Sequence, residues 1–198
     1  MTSTHSASAP TASTTSTAST ARSAPSSTAV RGERADLLQT LAQHRRFLRL
    51  TTRDLTDEQA ARRTTVSELC LGGLIKHVAS VERSWVNFIL EGPKVLGDWS
   101  NMTEADWARR ADEFRLLPGE TLAGVLEEYA EVARRTDEVV ATVPDLDASQ
   151  PLPSAPWYEP GTEWSVRRVL LHIIAETSQH AGHADIIRES LDGAKSMG

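Results

Sequence analysis

The sequence predicts an all-α domain built as a four-helix bundle. Four long stretches carry apolar residues three and four apart, and capping residues or Gly and Pro bound them. No stretch alternates with a period of two over a useful length, so no sheet is expected. The spacing also shows no internal repeat of the kind that marks solenoids.

The first helix is expected over residues 33–52, where Leu37, Leu38, Leu41 and Leu48 share a face. His44, beside Arg45 and Arg46, reads as a solvated or packing histidine. Thr56-Asp57-Glu58 marks the start of a short helical turn within residues 55–63. The second long helix is expected over residues 67–90, with Leu71, Leu74, Ile75, Val78, Val81, Trp85, Phe88 and Ile89 as its buried stripe. Gly92-Pro93 ends it. Thr103 caps a short helix to Phe114, whose Glu104 and Asp106 suit the positive end of the helix dipole. After Pro118-Gly119 comes a third long helix over residues 120–142, carrying Leu122, Val125, Leu126, Tyr129, Val132, Val139 and Val140. A Pro-, Asp- and Ser-rich stretch over 143–162 follows, with Trp157 and Tyr158 in PSAPWYEPG.

The last helix organises the rest. VRRVLLHIIAETSQHAGHADIIRESLDG spans Val166 to Gly193, with Ser165 as N-cap and Gly193 as stop. At about 100° per residue, Val169, Ile173, Ala184, Ile187 and Leu191 fall on one face. His180 falls in the middle of that stripe and Glu176, one turn earlier, near its edge. A carboxylate and an imidazole four residues apart point the same way and can grip one metal ion. A polar pair facing a core needs such a reason, because an unpartnered polar group in an apolar interior is costly. His77, at the border of the second helix's stripe, is the candidate third ligand. Three N/O ligands leave a coordination position open, as catalytic zinc sites do. His172 and His183 lie farther from the apolar centre, behind the ligands or at the rim. His183 is the candidate to hydrogen-bond a ligand or act at the open site. Glu82, inside the second helix's stripe, is either a buried partner for an Arg or His, or an orienting carboxylate for His77.

Residues 1–30 are a different polymer, dominated by Ser, Thr, Ala and Pro with Arg22 as the one fully charged side chain. They offer little to bury against the entropy of ordering and read as a disordered tail. The tail lacks the apolar run of a secretory signal, and its single Arg argues against a transit peptide. Residues 31–198 then form one domain. The net charge of −6 argues against general nucleic-acid binding. No apolar run is long enough to span a bilayer. The single cysteine, Cys70, excludes an internal disulfide, fits a reducing cytoplasm, and reads as a core residue.

GGLIKHVASVERSW, followed about a hundred residues later by WSVRRVLLHIIAETSQHAGHADIIRESLDG, resembles the DinB-like (DinB/YfiT-like) superfamily of four-helix bundles. Within it the chain is similar to the uncharacterised DUF664 branch, over residues 33–193. The superfamily usually holds a divalent metal with one His from the second helix and an H-x-x-x-H pair on a later one. Here Glu176 replaces the first His of that pair. The mycothiol-dependent maleylpyruvate isomerases of the superfamily use His, Glu and His in this order. The resemblance therefore implies His77, Glu176 and His180 as ligands of zinc, with nickel, iron and manganese also suited to such donors.

Several members use a low-molecular-weight thiol such as mycothiol or bacillithiol. The resemblance thus implies a metal-dependent thiol S-transferase acting on an electrophilic small molecule. Trp85, Trp157, Tyr158 and Trp164 would wall the pocket, and Arg167, Arg168 or Arg188 would bind an anionic substrate. In a hydrolytic reading, Glu82 or His183 is the candidate general base. The alternatives are a metal-dependent hydrolase of small amides or esters, and a non-catalytic binding bundle. A small-molecule substrate, no nucleic acid, no membrane and a possible homodimer complete the expectation.

Overall fold

The computed structural model describes residues 1–2, 30–97 and 99–196. The expected disorder of the tail falls mostly on residues 3–29, outside the described residues. The order of elements is α1 (Glu33–Leu50), α2 (Asp57–Ala61), α3 (Leu71–Glu91), α4 (Glu104–Asp112), α5 (Leu122–Thr142), β1 (Ser149–Pro151), β2 (Glu163–Ser165) and α6 (Val166–Asp192). Two 3-10 turns, Pro93–Leu96 and Trp99–Asn101, follow α3.

The four long helices form the bundle, with α1 against α6 and α5, and α3 against α5 and α6. Leu48, Leu71, Leu122 and Ile187 share one apolar cluster, while Leu37, Phe88, Val140 and Val169 share the other. Hence α1 and α6 run one way and α3 and α5 the other. Because α3 and α5 are parallel, residues 92–121 must travel back along the bundle before α5 can begin. That return segment carries α4. It forms the outer wall of the functional cleft.

Between the two apolar clusters lies a buried polar layer, with one contribution from each long helix. Arg45 of α1, Glu82 of α3, Thr136 of α5 and Thr177 of α6 are all buried. Arg45 donates from Nε to Glu82 Oε2 at 3.2 Å and from Nη2 to Oε1 at 2.5 Å, and Thr136 Oγ1 donates to Oε1 at 2.5 Å. A buried carboxylate held by a forked guanidinium and a hydroxyl is satisfied, which is what permits its burial.

Most boundaries follow the sequence signals. Thr56 and Thr103 close capping boxes with Gln59 and Asp106, Ser165 caps α6, and Gly193 ends it with φ 80°. The first helix ends at Leu50 rather than at residue 52 and α4 at Asp112 rather than at Phe114, and two of the long helices start later than the sequence expectation. The second long helix begins at Leu71 rather than at residue 67, because Thr65 and Ser67 accept the N–H groups of Ser67 and Leu69 in local turns that compete with helix. The third begins at Leu122 rather than at residue 120, because Thr121 is the cap and the Glu120 carboxylate turns back to Leu117 N–H. A β1–β2 antiparallel ribbon pairs Gln150 with Trp164, although no sheet is expected from the sequence. With three residues per strand, it is too short to show a period of two.

Candidate metal centre and aromatic cleft

Arg168, His172, Glu176 and His180 recur every four residues in a line along α6, and Trp164 of β2 stands four residues before the first of them. The structure buries Thr177, Ala181 and Ala184 beside that line. His180 therefore sits at the edge of the apolar stripe, not in its middle, and both His180 and Glu176 keep part of their surface open. His77 of α3 is the more deeply buried ligand candidate, at 3% exposure.

His77, Glu176 and His180 each bring one ligand atom to a cluster within 4.8 Å. His180 Nε2 lies 3.6 Å from Glu176 Oε2, close to the roughly 3.4 Å separating two ligands of a tetrahedral ion with ~2.1 Å bonds. The remaining ring nitrogens are also engaged. His77 Nδ1 is 3.3 Å from Glu113 Oε2, leaving Nε2 for a metal, and His180 Nδ1 is 3.4 Å from His183 Nδ1. A ligating imidazole needs its other nitrogen held in this way to fix ring and tautomer. Two imidazole nitrogens and a carboxylate oxygen form a donor set suited to zinc and its first-row neighbours. Burial lowers the affinity of His77 for a proton, outweighing the Glu113 hydrogen bond that raises it. The His180 hydrogen bond, outweighing burial, holds Glu176 below the ordinary carboxylate range. Both shifts keep the donors deprotonated, the form a cation needs.

Glu176 opens onto a cleft of about 780 Å³ between α3, α4, α6 and the 143–165 connection. All five tryptophans of the chain line it, namely Trp85, Trp99, Trp107, Trp157 and Trp164, together with Tyr158. Five of these rings, all but Trp107, form a continuous belt. Trp85 stacks on Trp164 at 4.8 Å and 18°, Trp164 meets Tyr158 at 5.8 Å, Tyr158 meets Trp157 at 6.0 Å, and Trp157 meets Trp99 at 5.3 Å. His172 sets its ring edge-on against both Trp85 and Trp164, with Nε2 3.8 Å from Glu176 Oε1. It belongs to the wall of the cleft.

The structure therefore brings His77, Glu176, His180 and His183 together, with Trp85, Trp157, Tyr158 and Trp164 above them. It places other candidates elsewhere. Glu82 does not reach His77, because Arg45 and Thr136 hold both its oxygens in the polar layer. Arg188 is not in the cleft either. Its Nη1 donates to the Thr51 and Arg53 carbonyls at 2.9 and 2.7 Å, closing the end of α1, and its Nε pairs with Asp192. Arg167 pairs with Glu33 and Asp147. Arg168 is the α6 arginine that lines the cleft. The sequence reading missed the α4 side of the site: Trp107, Arg109, Arg110 and above all Glu113. Its one visible signal was a tryptophan among arginines on an amphipathic segment.

Two histidines and a carboxylate at the base of an aromatic cleft, in a four-helix bundle, define a candidate metal-binding protein of DinB-like architecture. The chain belongs to the mycothiol S-transferase family, whose model, described as "Mycothiol-S-transferase", matches residues 36–193. A crystal structure of a conserved protein from Enterococcus faecalis has the same fold, with a TM-score of 0.62 at 12% identity, covering 83% of this chain and 100% of that one. Comparison with curated proteins gives no match. Among the described residues, no helix is long and apolar enough to cross a membrane.

Proposed function

We propose that this protein is a metal-dependent S-transferase that joins a low-molecular-weight thiol of the mycothiol type to an electrophilic small molecule in the cytoplasm. The observation that carries this reading is the convergence of His77, Glu176 and His180 at the cleft base, in a chain of the mycothiol S-transferase family. A divalent ion held by His77, Glu176 and His180, zinc first among the candidates, would act as a Lewis acid toward the thiol sulfur and would lower its pKa.

The chain's own residues do the remaining work. Glu113 sits against His77 Nδ1 and His183 against His180 Nδ1, which leaves the Nε2 atom of each ligand ring for the ion. The tryptophan belt binds the electrophile and excludes water from the sulfur. As sulfur bonds to the electrophilic carbon, the leaving group departs with its electron pair, and the thiol proton passes to solvent at the cleft mouth. The hydrolytic alternative needs a general base. Glu82 is unsuited to that task, because its charge is already held by Arg45.

Turnover of 1-chloro-2,4-dinitrobenzene with mycothiol, before and after metal removal and restoration, tests this function. The reading requires activity that depends on both thiol and metal and is lost in His180→Ala. Thiol-independent consumption of small esters or amides would replace it with the hydrolytic reading.

A further inference from the structure

The cleft contains six charged groups apart from its histidines, and five of them are paired within the site. Arg109 pairs with Asp106, Arg110 lies 3.6 Å from Glu113, and Glu176 faces His172 and His180. Arg168 is the exception. Among the described residues no ion pair joins it to a carboxylate. Its guanidinium carbon sits 4.2 Å from the centroid of the Trp164 ring.

A guanidinium held over an indole ring still has N–H donors free of that ring to meet a carboxylate. The stacking also fixes the group before any ligand arrives, so less freedom is lost on binding. Arg168 stands two helical turns before Glu176, about 12 Å along α6 by the rise of an α-helix. An anion seated at Arg168 therefore directs the far end of a flat molecule down toward the candidate metal ligands. Around this path ring surface stays open, since Trp157 of the belt and Trp107 on the α4 side of the cleft are 57% and 53% exposed. Exposed indole faces in a concave site gain by covering a flat apolar group.

We propose that the electrophile is a planar aromatic anion whose negative group is bound by Arg168 while its ring lies along the tryptophan belt. The assignment rests on the transferase reading for the fate of the ligand, and on Arg168 and the belt for its recognition. Arg168 is thereby a specificity-determining residue. Its loss discriminates between an anion and the matching neutral molecule.

The test uses the full-length, zinc-loaded protein and the variant Arg168→Gln, with Arg168→Lys retaining the charge. Calorimetric titration compares 4-nitrobenzoate with neutral 4-nitrobenzamide. Mycothiol-dependent turnover compares 4-(chloromethyl)benzoate with its amide, in which a C–S bond replaces the C–Cl bond and chloride leaves. The expected result is a preference for the anion of about tenfold in affinity and in KM. Arg168→Gln abolishes this preference by weakening the anion far more than the amide, and Arg168→Lys restores part of it. Equal affinity of the wild type for anion and amide overturns the proposal, as does a preference that survives Arg168→Gln. An Arg168-dependent preference in calorimetry with no turnover of either compound upholds the ligand class and removes the transferase reading.

Discussion

His77 Nδ1 of α3 and Glu113 Oε2, just past the end of α4, stand 3.3 Å apart. Burial alone would raise the affinity of this carboxyl for a proton, but the His77 hydrogen bond and the Arg110 charge hold it below the ordinary range. An ionised Glu113 orients His77 and increases its basicity as a ligand. Glu113→Gln should weaken metal binding by roughly 10- to 100-fold while leaving the melting temperature of the metal-free protein nearly unchanged. Competition against a chromophoric chelator measures the first quantity. Unaltered affinity would remove Glu113 from the site.

Gly73 explains how α4 reaches His77. A Cβ at this position would lie 1.9 Å from the Phe114 carbonyl oxygen and 2.7 Å from Arg115 N, so only glycine lets that backbone cross α3. The Phe114 ring then stacks on His77 at 4.0 Å. Gly73→Ala must push the crossover outward, carrying Glu113 with it. We expect a loss of stability of about 2 kcal/mol or more, with weakened metal binding in the same variant. Thermal melting and the chelator competition report on the two effects.

The polar layer gives a prediction of the opposite kind. Removing the Glu82 charge leaves Arg45 buried without its principal partner, and breaking a buried pair costs about 3–5 kcal/mol. Glu82→Gln should therefore unfold at markedly lower denaturant concentration. The fraction that remains folded should still bind metal, since Glu82 has no contact with the ligand cluster. Loss of metal affinity without loss of stability would return Glu82 to the functional site.

Glu120 links the crossover to α3. Its carboxylate accepts from Lys76 Nζ at 2.7 and 2.8 Å and from Leu117 N–H at 2.7 Å. Burial opposes ionisation, but Leu117 and Lys76 prevail and lower its pKa. A lowered carboxyl pKa contributes stability above its unfolded value of about 4.3, and that contribution fades as pH falls through the folded value. Because the pair is partly solvated, Glu120→Gln should cost only about 1 kcal/mol at pH 7. Denaturation curves of wild type and variant should converge in acid.

Much of this organisation was legible in the sequence. The four long helices announce themselves through apolar spacing, and α6 through Ser165 and Gly193. His77, Glu176 and His180 were identifiable as candidates because histidine and glutamate bordering an apolar face need partners. What escaped depends on tertiary paths. Glu113 reaches His77 only because parallel α3 and α5 force the chain back along the bundle, and no local pattern encodes that return. Glu82 read either as a buried partner for an Arg or His or as site chemistry, because burial alone does not say which partner satisfies a carboxylate, and Arg45 on another helix supplies the answer. Arg188 looked like an anion binder, yet its donors go to the Thr51 and Arg53 carbonyls just past α1, contacts that helical periodicity does not reveal.

The central claim is that His77, Glu176 and His180 form one metal site. Elemental analysis of tag-free protein, wild type beside Glu176→Ala and His180→Ala, tests it most directly. The account predicts about one divalent ion per wild-type chain, lost from both variants while their helical content persists. Wild-type protein that stays metal-free after divalent ions are restored, or variants that retain the ion, would contradict it.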